Sequence, residues 1–243
     1  MSAMSDPESL QVAISQWRAF VGDPQALEKI ARSGPKATEM LAEEMHRRSL
    51  WYERVHLAAA LGYGSGEAGV DELRWAAQET GPHTMDLRCA ALLALAKRVG
   101  SDATDDFALA LSDKTGAVRE YSIMCLAAVG NGSARQAAFA QLRSWLKKPA
   151  KRPRGEMDAV VYLLRTDALD RIVELRDLLN ENQSRMDPEV KDRLAQLWPE
   201  ALSGQPIMQD DVGRIRAGVW SSFLRNRRPL FEGILPGTAP TYS

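Results

Sequence analysis

The sequence predicts an all-α chain: an α-solenoid of about five stacked helical hairpins, with an N-terminal helical cap and a C-terminal amphipathic segment. Three observations carry this. Alternating β-branched runs are nearly absent while Ala, Leu, Arg and Glu dominate, and apolar residues recur at helical spacing. Pro, Gly, Ser and Asn punctuate the chain roughly every 10 to 18 residues, which suits short helices joined by tight turns. Three segments then repeat one pattern, opening with Arg54, Arg88 and Arg119 and reaching Leu61, Leu95 and Leu126 seven positions on. The steps between the arginines are 34 and 31 residues.

The elements follow in order. A helix is expected from Pro7 to Val21, capped by Asp6, with Val12, Ala13, Trp17 and Phe20 as its apolar stripe. A shorter one covers Gln25–Arg32. These form the cap, residues 1–34, which Ser33-Gly34-Pro35 closes. Residues 35–200 hold the hairpins. The polar first helices are Lys36–Ser49, Glu67–Gln78 and Ala103–Ser112, each preceding one repeat segment. A fourth pair is Ser133–Leu146 with Glu156–Thr166, where Leu164 takes the repeat-Leu position. A fifth is Ala168–Asn182 with Pro188–Trp198. Gly62, Gly100 and Gly130 are read as left-handed helix ends, and Asp102, Ser133, Asp167 and Asp187 as caps. Residues 201–243 hold one amphipathic helix, Gln209 to Arg227, with Val212, Ile215, Val219, Phe223 and Leu224 on its apolar face. The stretch Pro236-Gly237-Thr238-Ala239-Pro240 reads as a flexible tail.

The repeat has a physical reason. A pair of three-turn helices cannot bury its apolar stripe alone, and stacking the next pair covers it. Small residues such as Ala58, Ala60, Ala91 and Ala94 let the helices approach closely.

This pattern resembles the HEAT-repeat family in its bacterial short-repeat form, whose second helix reads roughly Val-Arg-x-x-Ala-Ala-x-Ala-Leu-Gly. Val118-Arg119 with Leu126 matches it, as does Arg54 with Ala58, Ala60, Leu61 and Gly62. Asp113 matches the turn aspartate the family favours, where Pro82 and Arg48 stand in the other two repeats. The clear match covers residues 50–146. The resemblance implies a binding surface: the second helices line the concave side, with the positions two and five residues after the repeat Arg facing outward. Those positions hold His56 and Ala59, Ala90 and Leu93, Tyr121 and Met124, then Ala159 and Tyr162. An exposed apolar stripe of His56, Leu93, Tyr121, Met124 and Tyr162 reads as a protein interface. A register shifted by one residue makes the same side chains packed core. Some members of the family are enzymes: DNA glycosylases acting on alkylated bases, bilin lyases and a di-iron hydroxylase with His-Glu repeats. This chain has no His-Glu dipeptide and no glycosylase-type Trp-Trp-Asp cluster.

Composition narrows the function classes. A formal net charge of −1 supplies no global field for nucleic acid or anionic membrane. Both cysteines, Cys89 and Cys125, lie in apolar runs without a Cys-x-x-Cys partner and are expected to be reduced and buried. The N-terminal residues lack the basic and apolar regions of a signal peptide, no apolar run approaches the roughly 20 residues that span a bilayer, and a cytoplasmic location is expected.

Four constellations invite chemistry. The run Gly62-Tyr63-Gly64-Ser65-Gly66 suggests a phosphate loop, but the preceding strand and the Gly-Lys-Ser/Thr ending are missing, which favours an inter-repeat turn. Glu43 with His46 and Glu53 with His56 are Glu-x-x-His pairs, as carboxylate-bridged metal sites use; solvated charge at helical spacing is the competing reading, and no metal or other cofactor is expected. The loop Lys147, Lys148, Lys151, Arg152 and Arg154, with Arg214, Arg216, Arg225, Arg227 and Arg228 further on, is a candidate anion-binding surface. The function expected first is a non-catalytic scaffold that binds a protein partner along the concave face. The alternative is a nucleic-acid-binding module of glycosylase-like ancestry that uses the basic loop.

Overall fold

The structure is a computed structural model that describes residues 7–19, 24–231 and 234–235. The described residues form an all-α protein with α-helices α1 (Pro7–Ala19), α2 (Pro24–Ala31), α3 (Pro35–Arg47), α4 (Trp51–Leu61), α5 (Val70–Gln78), α6 (Met85–Val99), α7 (Thr104–Ala110), α8 (Gly116–Val129), α9 (Arg135–Trp145), α10 (Glu156–Thr166), α11 (Leu169–Asn182), α12 (Pro188–Leu197), α13 (Glu200–Ser203) and α14 (Gln209–Arg227). Asp6, Phe20, Val21 and the tail from 236 onward lie outside the described residues. The chain divides into two compact units, Met1–Asp106 and Phe107–Ser243.

In the first unit α3 pairs with α4 and α5 with α6, while α4 lies directly against α6 and α2 packs on both α3 and α4. The start of α3 is set by Pro35, whose fixed φ suits a first turn. The second helices carry the core: α6 buries Leu87, Cys89, Ala91, Leu92, Ala94, Leu95 and Ala96 around most of its circumference. The repeat arginines bind the turn between paired helices. Arg88 donates from Nη1 to the Glu79 carbonyl at 2.7 Å and to Thr84 Oγ1 at 2.8 Å, while Arg54 meets the Glu79 carboxylate at 3.4 Å. Arg119 does the same in the second unit, donating to the Asp113 carbonyl at 2.5 Å. Carbonyls past a helix end lack intrahelical donors, so Arg88 and Arg119 fill a need that the helix end creates, while Arg54 binds a side-chain carboxylate.

Gly62 and Gly130 are not left-handed as expected, with φ of −62° and −61°. Gly62 is required for another reason: a Cβ there would sit 3.1 Å from the Ala94 Cα, so α4 ends by touching the backbone of α6. Gly100 does have a positive φ, 56°. Of the expected caps, the Asp187 side chain accepts from the Glu189 amide at 2.9 Å. Asn131, not Ser133, caps the turn before α9, and Asp167 is buried against Arg135 instead of capping α11.

In the second unit α10 lies against both α8 and α9, α11 packs on α13, and α12 contacts α13 and α14. Ser122 Oγ donates to the Phe107 carbonyl at 2.5 Å and ties α8 to the helix before it. The helix α14 packs on α10 through Val212, Ile215, Val219, Trp220 and Phe223; Trp220 joins the face the periodicity outlined, while Leu224 is only half-buried. Its direction follows from its arginines. Arg216, in its first half, donates from Nε to the Leu164 carbonyl at 2.7 Å and from Nη2 to the Asp167 carbonyl, both at the C-terminal end of α10. Arg227, its last residue, reaches Asp158 near the start of α10 at 2.8 Å. The helix therefore runs antiparallel to α10.

A single device recurs within the units. Arg98, at the end of α6, donates from Nη1 to the Leu61 carbonyl at 2.8 Å, and Arg165, at the end of α10, donates from Nη2 to the Leu126 carbonyl at 2.8 Å. With Arg216 on Leu164, each of these arginines captures the carbonyl of a repeat leucine at the open end of the helix beside it.

Candidate functional site

The residues of the expected stripe do not share one environment. His56 and Leu93 are half-buried in the first unit, and Tyr121 is half-buried in the second. Met124 and Tyr162, read as exposed, are packed core at 3% and 0% exposure. The reason is contact on several sides: α8 buries eight residues between Val118 and Ala128, and α10 is covered by α8, α9 and α14. The Tyr162 hydroxyl donates to the Asn131 carbonyl at 2.5 Å, and burial pushes its pKa up to about 12.

The basic residues are divided in the same way. Lys147, Lys148 and Lys151 are exposed. Arg152 pairs with Glu120 at 2.8 Å, and Arg154 pairs with Glu156 at 3.0 Å and donates to the Trp145 carbonyl at 2.8 Å. Of the C-terminal arginines, Arg214 pairs with Glu200 at 2.9 Å, Arg216 and Arg227 bind α10, and Arg225 and Arg228 are exposed. Much of this positive charge holds the protein together and is not offered to an anion.

The glycine loop is organised around a cation. Besides the Nη1 bond to the Leu61 carbonyl, Arg98 donates from Nη2 to the loop carbonyls of Gly66 at 2.6 Å and Ala68 at 2.9 Å. The loop aims C=O groups inward, the reverse of a phosphate cradle, and the first turn of α5 adds Asp71 and Glu72. Burial pulls the Arg98 pKa below its ordinary value.

Three of the four residues of the Glu-x-x-His pairs are engaged separately. Glu43 pairs with Arg47 at 3.1 Å, Glu53 lies 3.6 Å from Arg48, and the His46 ring packs on Trp75 with centroids 4.6 Å apart. Among the described residues, no three His, Cys, Asp or Glu side chains form a metal-ligand group. Among them, too, no helix is long and apolar enough to cross a membrane.

Two features stand out in their place. The first is an aromatic patch at the turn end of the first unit's hairpins. Trp51, the first residue of α4, is 44% exposed, and Trp75 on α5 is 40% exposed. Arg54, one turn beyond Trp51, lies over the Trp75 ring at 4.8 Å and is held there by Glu79. The His83 ring stacks on Trp51 with centroids 6.4 Å apart, and exposed Leu50 and Met85 flank the two turns. His83 is the non-glycine residue with positive φ, 58°, among the described residues. The Thr84 hydroxyl makes its turn rigid, donating to the Gly81 carbonyl at 2.7 Å.

The second is a pocket of about 340 Å³ in the second unit, between α10, α12 and α14. Glu156 and Asp158 line it from α10, Glu189 and Arg193 from α12, and Phe223 and Arg227 from α14. Burial drives the Asp158 pKa above its ordinary range, and the Arg227 guanidinium opposes that rise.

Neither feature was read from the sequence, although Trp75 left a trace: it falls off the stripe of Val70, Leu73, Ala76 and Ala77 that α5 buries. The pocket left none, because it joins helices far apart in the chain. No family model matches the chain, and no curated protein or solved structure matches it.

Proposed function

We propose that the protein is a non-catalytic scaffold of HEAT-like helical repeats that captures a protein partner, and that the partner docks on the Trp51–Trp75 patch. The observation that carries the docking surface is the pair of tryptophans, 44% and 40% exposed, that His83 braces at Trp51 and that Arg54 and His46 brace at Trp75. Exposed Trp is costly to solvate, and Trp is the residue most enriched where binding energy concentrates. The partner is a protein segment presenting aliphatic side chains to the two rings, with the flanking Leu50 and Met85 widening the apolar contact. Support for the repeat reading comes from Arg98 and Arg165, which bind the carbonyls of Leu61 and Leu126 at the same position of the repeat. Exposed Trp51 and Trp75 replace the concave stripe as the docking surface, because Met124 and Tyr162 are not accessible.

The test is affinity capture from native lysate with the wild type and with Trp51→Ser and Trp75→Ser, nuclease-treated in parallel. A protein retained by the wild type and lost from both variants, with unchanged circular dichroism, supports the reading. Retention of the same protein by both variants, or loss of all retained material on nuclease treatment, overturns it.

A further inference from the structure

The pocket of the second unit has a chemistry of its own. Its α10 wall carries two carboxylates, Glu156 and Asp158, both buried. Glu156 is fully engaged: Oε1 accepts from Arg154 Nε at 3.0 Å and Oε2 from the Arg154 amide at 2.6 Å. Asp158 is not held so tightly. Its Oδ2 accepts from Arg227 Nη2 at 2.8 Å, and Arg227 comes from the last residue of α14 with its side chain 37% exposed. A guanidinium offers five donors in a planar fork, and a carboxylate accepts two of them side by side. The resident contact uses less than that capacity. Val161, Val219 and Phe223 supply an apolar wall beside the carboxylate, and Glu189 stands at the rim, paired with Arg193 at 2.8 Å.

We propose that this pocket binds a ligand carrying a guanidinium, which seats on Asp158 in place of Arg227 while its hydrocarbon stem lies against Val161, Val219 and Phe223. The volume fits a small ligand or one long side chain. An anion is disfavoured because the buried wall is carboxylate. A metal ion is disfavoured because Arg154 and Arg193 hold Glu156 and Glu189, which leaves it a single carboxylate. A neutral ligand would leave Asp158 with no compensation once Arg227 moved aside. Burial works against the charged form of Asp158 even with Arg227 present, so a better-placed cation gains from the same low dielectric.

The experiment is titration of the full chain with agmatine, a free alkylguanidine, and with N-acetyl-arginine amide, the same group on a peptide side chain. N-acetyl-citrulline amide is the neutral control of the same shape. Calorimetry reads affinity, and NMR follows the side-chain N–H signals of Arg227. Saturable binding of at least one guanidinium probe is expected, with displacement of the Arg227 signals and none with citrulline. Agmatine alone binding indicates a free small molecule, and binding of both indicates that an arginine side chain suffices. Arg227→Gln removes the resident competitor and should strengthen binding, and Asp158→Asn should weaken it by about tenfold or more. Absence of binding to both the wild type and Arg227→Gln at millimolar probe overturns the proposal, as does citrulline binding equally or Arg227 signals that do not move. None of these outcomes depends on the aromatic patch of the first unit.

Discussion

Arg216 Nε lies 2.7 Å from the Leu164 carbonyl, across 52 residues of sequence, and that contact determines how α14 ends the second unit. Arg165 approaches Leu126 in the same unit from the end of a helix, whereas Arg216 reaches Leu164 from within the first half of one. The carbonyl is satisfied either way, because a guanidinium on a long stem reaches it from either strand direction of the helix. What differs is the helix that follows: an antiparallel neighbour that packs on α10 and on the closing turn, where Phe223 and Phe231 lie 6.5 Å apart.

Arg216→Ala leaves the Leu164 and Asp167 carbonyls without this donor in a partly buried place. The expected loss is about 1–3 kcal/mol of unfolding free energy. Arg216→Lys, with a single ammonium in place of the fork, recovers only part of it. Urea unfolding followed by circular dichroism measures both. Equal stability of Arg216→Ala and the wild type would remove the clamp from the account.

Gly62→Ala sets two effects against each other. Replacing Gly by Ala at a helix end gains about 0.5–1 kcal/mol in chain entropy. The new methyl meets the Ala94 Cα at 3.1 Å and the Ala59 carbonyl oxygen at 3.1 Å, and backbone cannot swing away as a side chain does. Overpacking of this kind costs about 1–3 kcal/mol, so the variant is expected to be less stable on balance. A thermal melt decides the sign.

Tyr162→Phe and Tyr162→Ser separate the surface and core readings of α10. Loss of the hydroxyl bond to Asn131 should cost about 0.5–1.5 kcal/mol, while Ser at a fully buried site should cost far more, about 3–5 kcal/mol. Spectrophotometric titration should show a tyrosine ionising at about 12 in the wild type and not in Tyr162→Phe. An exposed Tyr162 would tolerate Ser.

Asp158 makes a pH prediction with an unusual sign. Its folded pKa is raised by burial above the ordinary 3.8, so the folded state holds the proton more tightly than the unfolded chain. This group's contribution to stability is therefore fully present below pH 3.8 and is lost as pH rises through the higher folded value. Asp167 shifts the same way, with burial again outweighing Arg135. Asp158→Asn should lose less stability than the wild type over that window, read as unfolding midpoints in urea at successive pH values. Parallel curves for the two proteins would contradict it.

The sequence alone determined the helices and their spacing. Periodic apolar residues, the break at Ser33-Gly34-Pro35, Pro188 at a helix start, and the recurrence from Arg54 to Arg88 to Arg119 are local properties, written in the chain's own order. They also marked Leu61, Leu126 and Leu164, whose carbonyls turn out to be the clamped ones. Tertiary structure decided which sides of those helices meet water. Met124 and Tyr162 are packed core while Trp51 and Trp75 stand 44% and 40% exposed, and burial depends on contacts that no short window contains. The same holds for Arg98 inside the glycine loop and for Asp158 beneath Arg227: each pairing closes over more than 30 residues, where chain topology, and not local preference, brings the charges together.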